Sequence, residues 1–254
     1  MHSFKLWEDD ANKGATIDYY PPFIKASDVA VVIFPGGAYF SLAEHEGEGY
    51  ARLLNTFGIT AFVVNYRLYP DVYFPAQLED ARRAMRFVRA KAGDFGIAKN
   101  KVLAMGSSAG GHLTALLSTY TKQLDESKDA IGEEEYLPNG QILCYPVISC
   151  DENISHRSSF ERLLGEEYAS RKEEISPELL VNEKTPPAFI WHTAEDEGVS
   201  VMNSFCYAQA LQNYKVPYEL HIFPFGLHGR GIAPDMPSVG QWTALLHSWI
   251  KENF

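Results

Sequence analysis

The residues most able to do chemistry lie in one short glycine-rich stretch. Residues 106–110 read Gly-Ser-Ser-Ala-Gly, between an apolar run that predicts a strand and a run that predicts a helix. This G-x-S-x-G pattern on a strand-to-helix turn is typical of a nucleophilic serine, because small neighbours permit a turn sharp enough to expose one hydroxyl. The pattern predicts Ser108 as the nucleophile. The alternative is a plain glycine-rich turn for phosphate, but the lysine of a P-loop and the spacing of a dinucleotide fingerprint are both missing.

A nucleophilic serine requires a histidine base, and the histidine requires an orienting acid. His228 lies in a glycine-flanked loop directly after the predicted strand 219–223, so we predict that it is the base. His192 and His221 fall at or within predicted strands, and we interpret them as structural. His112 lies one turn into the helix after the serine and is interpreted as a packing or hydrogen-bonding residue.

The spacing leaves the identity of the acid open. Glu195, Asp196 and Glu197 all follow the predicted strand 188–191, in the correct order between the serine and the histidine. Spacing does not choose among these three carboxylates. Asp151, which follows the preceding strand, is a weaker alternative.

Acyl transfer by a serine also requires N–H groups that stabilise the developing oxyanion. Residues 34–39 read Phe-Pro-Gly-Gly-Ala-Tyr and come directly after an early predicted strand. Backbone N–H groups can face a substrate oxygen where side chains are small or absent. We therefore predict that Gly37 and Ala38 donate from this loop, and that Ala109 donates as the residue after the nucleophile.

Predicted strands place these residues at one edge of a sheet. Short apolar runs that do not alternate are typical of strands buried on both faces of a parallel sheet. The runs cover residues 29–34, 60–64, 101–105, 141–145, 188–191 and 219–223. Two alternating segments, 4–7 and 16–20, predict an antiparallel edge. With helical patterns between the strands, the fold class is α/β, with a mostly parallel central sheet and helices on both faces.

Two segments add detail to this architecture. The helix predicted over residues 75–92 is amphipathic, and its polar face carries Arg82, Arg83, Arg86 and Arg89. The polar stretch at about 151–186 is too long for a simple connection, so we predict a small, lid-like helical insertion before the strand that carries the acid. We expect residues 1–254 to form a single domain.

The composition argues against several classes of function. The 254 residues carry a formal net charge of -11, and an acidic surface repels nucleic acids and anionic membranes. Three cysteines with no C-x-x-C pair argue against a disulfide framework and a zinc site of that type. The N-terminus has no apolar leader, and no apolar stretch approaches the roughly 18 residues of a membrane span. We therefore expect a cytoplasmic protein without nucleic-acid or membrane partners.

Taken together, the motifs resemble those of α/β-hydrolases of the small acetyl esterase and lipase group, near the acetyl xylan esterase-like enzymes. The resemblance spans nearly the whole chain. It rests above all on Gly-Ser-Ser-Ala-Gly-Gly-His at 106–112, Trp-His-Thr-Ala-Glu-Asp at 191–196 and Gly-Leu-His-Gly at 226–229. It implies the α/β-hydrolase fold, a triad of Ser108, Asp196 and His228, and no metal or organic cofactor.

The chain departs from this family at the oxyanion loop. Relatives often carry His-Gly-Gly-Gly where residues 35–38 read Pro-Gly-Gly-Ala. The backbone donors are retained, but the methyl group of Ala38 would lie near the acyl group of a substrate. With Tyr39 and Phe40 beside it as substrate-binding residues, this departure predicts a small acyl pocket.

The resemblance implies a serine carboxylic-ester hydrolase that removes short acyl groups, acetyl above all, from xylo-oligosaccharides or related sugars. One alternative is an amidohydrolase or peptidase of the same fold, although oligopeptidases of this fold usually carry a large accessory domain. The other is a hydrolase-fold binding protein without catalysis, although such proteins usually lose the base or the acid. The expected partner is a small-molecule or oligosaccharide ester. A homo-oligomer is compatible with the sequence, which does not determine the oligomeric state.

Overall fold

One eight-stranded sheet forms the centre of the computed structural model, which describes residues 2–8, 14–124 and 129–254. Its strands are β1 (His2–Lys5), β2 (Thr16–Tyr20), β3 (Ala30–Phe34), β4 (Thr60–Asn65), β5 (Val102–Ser107), β6 (Gln141–Cys144), β7 (Ala188–Thr193) and β8 (Tyr218–Phe223). The spatial order is β1-β2-β4-β3-β5-β6-β7-β8. Strand β2 runs antiparallel to β1 and β4, and the other neighbouring pairs are parallel. The prediction of a mostly parallel sheet with an antiparallel N-terminal edge is confirmed.

Helices cover both faces of the sheet, as predicted. They are α1 (Glu44–Thr56), α2 (Ala76–Ala90), α3 (Ala92–Phe95), α4 (Ser108–Thr119), α5 (Arg157–Leu164), α6 (Tyr168–Arg171), α7 (Met202–Asn213) and α8 (Trp242–Asn253). Strand β3 shows how the two faces are filled. Val31 and Ile33 pack with residues of α1 and α8, whereas Val32 and Phe34 pack with residues of α2 and α4. Both faces of the strand are apolar because helices cover both.

The arginine face of α2 is buried, whereas its amphipathic pattern predicts exposure to solvent. An amphipathic pattern places polar side chains toward solvent, but Arg82, Arg83, Arg86 and Arg89 are all buried. Their guanidinium groups donate mainly to backbone carbonyls of the segment that connects α4 to β6. Arg82 binds the carbonyl of Tyr120, and Arg89 binds those of Glu135 and Leu137. The polar face of α2 therefore anchors a long irregular connection, and charged donors satisfy its buried carbonyls.

The segment 151–186 is helical, as predicted. It contains α5, α6 and three short 3₁₀ turns, at Gly165–Glu167, Lys172–Ile175 and Pro177–Leu179. Apolar side chains from this segment, such as Phe160, Leu163 and Ile175, are buried in the core cluster on the α2 and α4 face. The single domain and the lid-like behaviour of the segment stay predictions. None of the helices in the described ranges has the length and hydropathy needed to cross a bilayer.

Candidate active site

Ser108 lies on the sharp turn between β5 and α4. Its backbone has a φ of +51°, in a region that residues other than glycine rarely adopt. Gly110 permits this turn, because a Cβ there would lie 1.9 Å from the carbonyl oxygen of Phe34 on the neighbouring strand. The start of α4 consequently packs directly against β3. The N–H groups of the first turn of α4, including that of Ala109, have no acceptor within the helix.

The structure brings Ser108, His228 and Asp196 into one hydrogen-bonded chain. The Ser108 hydroxyl lies 2.9 Å from His228 Nε2, and His228 Nδ1 lies 2.7 Å from Asp196 Oδ2. An ionised carboxylate accepts only, so Nδ1 carries the ring proton and donates it to Asp196, while Nε2 is free to accept from the serine. This arrangement allows the imidazole to remove a proton from the serine hydroxyl.

Four donors surround the Asp196 carboxylate. The N–H groups of Gly198 and Val199 donate to Oδ1 at 2.9 and 2.8 Å, while His228 and His192 lie against Oδ2 at 2.7 and 3.3 Å. Burial raises the pKa of the Asp196 carboxyl, but hydrogen bonds from His192, His228 and Val199 outweigh it and hold the pKa well below its ordinary value. The carboxylate is therefore ionised at neutral pH and fixed in orientation.

The other carboxylates considered from the sequence do not reach His228. Glu195 is exposed and accepts from the N–H of Gly226 at 3.0 Å, and Glu197 is exposed. Asp151 is also exposed, and its Oδ1 accepts from Asn153. Geometry therefore separates Asp196 from the alternatives that spacing left open. Across residues 2–8, 14–124 and 129–254, no group of three His, Cys, Asp or Glu side chains is arranged to hold a metal ion.

The loop after β3 lies against the nucleophile. A Cβ on Gly36 would lie 3.0 Å from Ser108 Cβ, so the loop backbone approaches the serine closely. Gly37 has a φ of +126°, and a Cβ there would lie 2.1 Å from the Ser41 carbonyl oxygen, so the loop conformation requires glycine. Within the described residues, no group accepts from the N–H of Gly37 or Ala38. These two donors are available for an oxyanion.

A buried network beneath the loop connects it to the rest of the site. Glu46 on α1 accepts from the Gly36 N–H at 2.8 Å and from the Tyr145 hydroxyl at 2.7 Å. Tyr145 lies 3.0 Å from the hydroxyl of Tyr50, which accepts from Ser107 at 2.8 Å. The network therefore holds the oxyanion loop and the serine turn in a fixed relation.

The network also extends to the histidine loop. The Tyr145 hydroxyl accepts from the Gly231 N–H at 3.0 Å. The Tyr145 ring packs edge-on against the His228 ring, with 5.2 Å between centroids. One tyrosine therefore supports both the loop that carries the base and, through Glu46, the loop that carries the oxyanion donors.

The two predicted substrate-binding residues differ in exposure. Phe40 is 58% exposed and is available to a ligand. The Tyr39 side chain is fully buried, and its hydroxyl donates to His112 Nδ1 at 2.7 Å. The prediction that Tyr39 binds substrate is therefore wrong for its side chain. The ring points inward, where it packs edge-on against Tyr66 and His112 and where His112 satisfies its hydroxyl.

His112 acts as a bridge, which confirms its interpretation as a hydrogen-bonding residue. Its Nε2 donates to the carbonyl of Ile175 at 2.7 Å, while its Nδ1 accepts from Tyr39. The imidazole is completely enclosed. Burial lowers the pKa of His112 from 6.5 to about 4, although the bond to Ile175 acts in the opposite direction.

We expect this histidine to make the fold sensitive to acid. The unfolded chain takes up a proton at His112 below about pH 6.5, whereas the folded chain does so only near pH 4, so stability is lost as the pH falls through this window. Between pH 7 and pH 5, this group lowers the free energy of unfolding by about 2 kcal/mol. Urea unfolding of the wild type and His112→Gln across this pH range measures that decrease. The wild type should lose more stability than the variant, and equal losses would contradict the expectation.

Two residues that support the site, His192 and Glu46, were not identified from the sequence. His192 is satisfied by Ser204 and Val199, as a structural histidine should be, yet it also contacts Asp196. Glu46 had a recognisable signal, because it shares the apolar face of α1 with the buried Tyr50, four residues away. Nothing in the local pattern around His192 reveals its contact with the acid.

The sequence matches a protein family and, among other proteins, two relatives of known activity. The chain matches the BD-FAE family over residues 17–211. It is 34% identical to endo-1,4-beta-xylanase B of Butyrivibrio fibrisolvens over 91% of this chain and 38% of that protein. It is 35% identical to the acetylxylan esterase of Xylanibacter ruminicola over 98% of this chain and 50% of that protein. The chain thus spans half or less of the length of these two relatives.

A solved structure of similar size also matches. It is the acetyl ester-xyloside bifunctional hydrolase of Caldicellulosiruptor lactoaceticus, with 38% identity and a TM-score of 0.92. The match covers 99% of this chain and 96% of that chain. The described part of the backbone therefore has the α/β-hydrolase fold.

Proposed function

Because the chain belongs to the BD-FAE family and has the α/β-hydrolase fold, we propose that it is a serine esterase. It removes short acyl groups, acetyl above all, from xylo-oligosaccharides or related sugars, and it does so through an acyl-enzyme on Ser108. The observation that carries this proposal is the hydrogen-bonded chain from Ser108 through His228 to Asp196, at 2.9 and 2.7 Å.

The first half of the reaction forms the acyl-enzyme. Ser108 Oγ attacks the ester carbonyl while its proton passes to His228 Nε2. The carbonyl oxygen becomes an oxyanion, which accepts hydrogen bonds from the N–H groups of Gly37, Ala38 and Ala109. When the tetrahedral intermediate collapses, the bond to the alcohol oxygen breaks and His228 returns the proton to that oxygen.

The second half regenerates the enzyme. A water molecule gives a proton to His228 and attacks the acyl carbonyl, and the same donors stabilise the oxyanion. Collapse releases the carboxylic acid and returns the proton to Ser108. Asp196 remains ionised throughout, holds the imidazole in the correct tautomer and stabilises its positive charge in both steps.

Two features support short acyl groups on sugars. Ala38 belongs to the loop that supplies the donors, so its methyl group would lie near the acyl group of a bound ester. The relatives include an acetylxylan esterase and an acetyl ester-xyloside hydrolase, 35% and 38% identical to this chain.

The proposal is tested by initial rates of hydrolysis of p-nitrophenyl esters from acetate to decanoate. Acetate release from acetylated xylo-oligosaccharides is measured in parallel. We expect rapid turnover of the acetate ester and a steady decrease with acyl length, because a longer chain meets the Ala38 side of the pocket. We also expect acetate release from the oligosaccharides. A folded wild-type protein that hydrolyses none of these esters would contradict the proposal, and a maximum at long acyl chains would contradict the acyl preference.

A further inference from the structure

A cavity of about 670 Å³ lies between the oxyanion loop and α5, and the triad does not use it. This volume falls within the range of about 300–1,000 Å³ that is typical of small-molecule sites. Its lining includes four aromatic residues, one of them Tyr168, together with one cation and two carboxylates. The other three aromatic residues and the charged side chains are Phe40, Tyr69, Tyr73, Arg162, Glu161 and Glu166.

Two of the aromatic rings of the cavity are open to solvent. Phe40 is 58% exposed and Tyr73 is 47% exposed. Tyr69 and Tyr73 pack edge to face, with 5.8 Å between ring centroids, so one supports the other. Large aromatic side chains that face a shared concavity are characteristic of binding sites, because a ligand can cover their apolar faces.

The polar groups of the cavity are available to a ligand. Arg162 donates from Nη1 to the Ala38 carbonyl at 3.1 Å, and its guanidinium lies 5.3 Å from the centroid of the Phe40 ring. Among the described residues, no carboxylate pairs with Arg162, so its other N–H groups are uncommitted. Glu161 Oε1 accepts from Arg157 Nε at 2.7 Å, so its second oxygen and the Glu166 carboxylate supply the acceptors on the same wall. Arg157 already neutralises Glu161, so Arg162 and Glu166 balance each other, and this balance favours a neutral ligand rich in hydroxyl groups over an anion.

Helix α5 connects the cavity to the triad. His156 immediately precedes α5, and burial lowers its pKa, with further lowering by the charges of His228 and Arg162. The helix reaches the oxyanion loop at Arg162, which donates to the Ala38 carbonyl next to the predicted donors. An ester whose carbonyl binds the Gly37 and Ala38 donors would place one of its two substituents toward this cavity.

We propose that this cavity, here called the sugar cavity, binds the pyranose rings of the leaving alcohol. Phe40 and Tyr73 cover the apolar faces of the sugar, while Arg162, Glu161 and Glu166 hydrogen-bond its hydroxyl groups. This assignment rests on the proposed esterase function and makes the sugar cavity the part of the site that distinguishes sugar esters from simple esters.

The test compares two substrates that deliver the same acetyl group, p-nitrophenyl acetate and acetylated xylotriose. Tyr73→Ala and Phe40→Ala should each lower the ratio of kcat/KM for the sugar ester to kcat/KM for the aryl ester about tenfold, as loss of one aromatic contact predicts. The change should appear mainly in KM for the sugar ester. Both side chains are about half exposed, so the variants are expected to fold. Tyr214→Ala is the matched control, because Tyr214 is a similarly exposed aromatic residue, 50% exposed, at the end of α7.

The outcomes separate this inference from the proposed function. Normal ester turnover with an unchanged ratio in both variants would overturn the sugar cavity and leave the esterase intact. A shift in acyl-length preference with an unchanged ratio would assign the cavity to the acyl group and also overturn the inference. Absence of ester turnover in the wild type would overturn the proposed function, and this assignment with it.

Discussion

Ser108→Ala is expected to lower kcat for acetate esters by about 10⁵- to 10⁶-fold, because the hydroxyl is the atom that forms the acyl-enzyme. Substrate binding should persist, since the oxyanion donors belong to the backbone. The variant should also fold normally, because the substitution removes one oxygen atom, whose hydrogen bond is to His228, and leaves the packing of the turn unchanged. Steady-state rates give the loss, and mass spectrometry after rapid quenching should detect an acyl group on the Ser108 peptide of the wild type alone.

Ser107→Ala is the matched control, because it removes the other hydroxyl of the same turn. Ser107 is fully buried and donates to Tyr50, so it cannot reach an ester. We expect its loss to lower kcat by less than about tenfold, through looser support of the turn. If Ser107→Ala rather than Ser108→Ala abolished turnover, the assigned nucleophile would be wrong.

Asp196→Asn is expected to lower kcat by about 10⁴-fold. The N–H groups of Gly198 and Val199 both donate to Oδ1, and an amide nitrogen cannot accept from them. The asparagine oxygen therefore stays at the Oδ1 position and its NH₂ group faces His228. The amide then donates to Nδ1, so the ring proton moves to Nε2, which can no longer accept the serine proton.

Glu197→Gln is the matched control for this prediction, since Glu197 is an exposed carboxylate next to Asp196 in the chain. Its kcat should match that of the wild type. Equal losses in the two variants would mean that local charge, rather than the bond to His228, determines the rate. Circular dichroism and thermal unfolding of both variants identify any loss of fold.

The sheet and its helices could be predicted because strand burial is encoded locally. A run such as residues 29–34 is apolar throughout because helices cover both faces of β3, and this pattern is visible without knowledge of the partners. The arginine face of α2 shows the limit of such patterns. Helical periodicity separates polar from apolar faces, but it does not reveal that a distant segment covers the polar face with backbone carbonyls.

The sequence by itself determined the reactive residue types and their order. The glycine-flanked Ser108 and the loop position of His228 follow from short patterns, because a sharp turn and a strand end leave local signals. Tertiary structure decided the remaining contacts. Ser108 and His228 are 120 positions apart in sequence, and Glu46 and Tyr145 are 99 positions apart. Only the packed sheet brings such pairs together. The structure places Asp196 on the imidazole, a choice that spacing left open and that the family resemblance implied. It also buries Tyr39 and connects the oxyanion loop to Glu46, which no local pattern predicts.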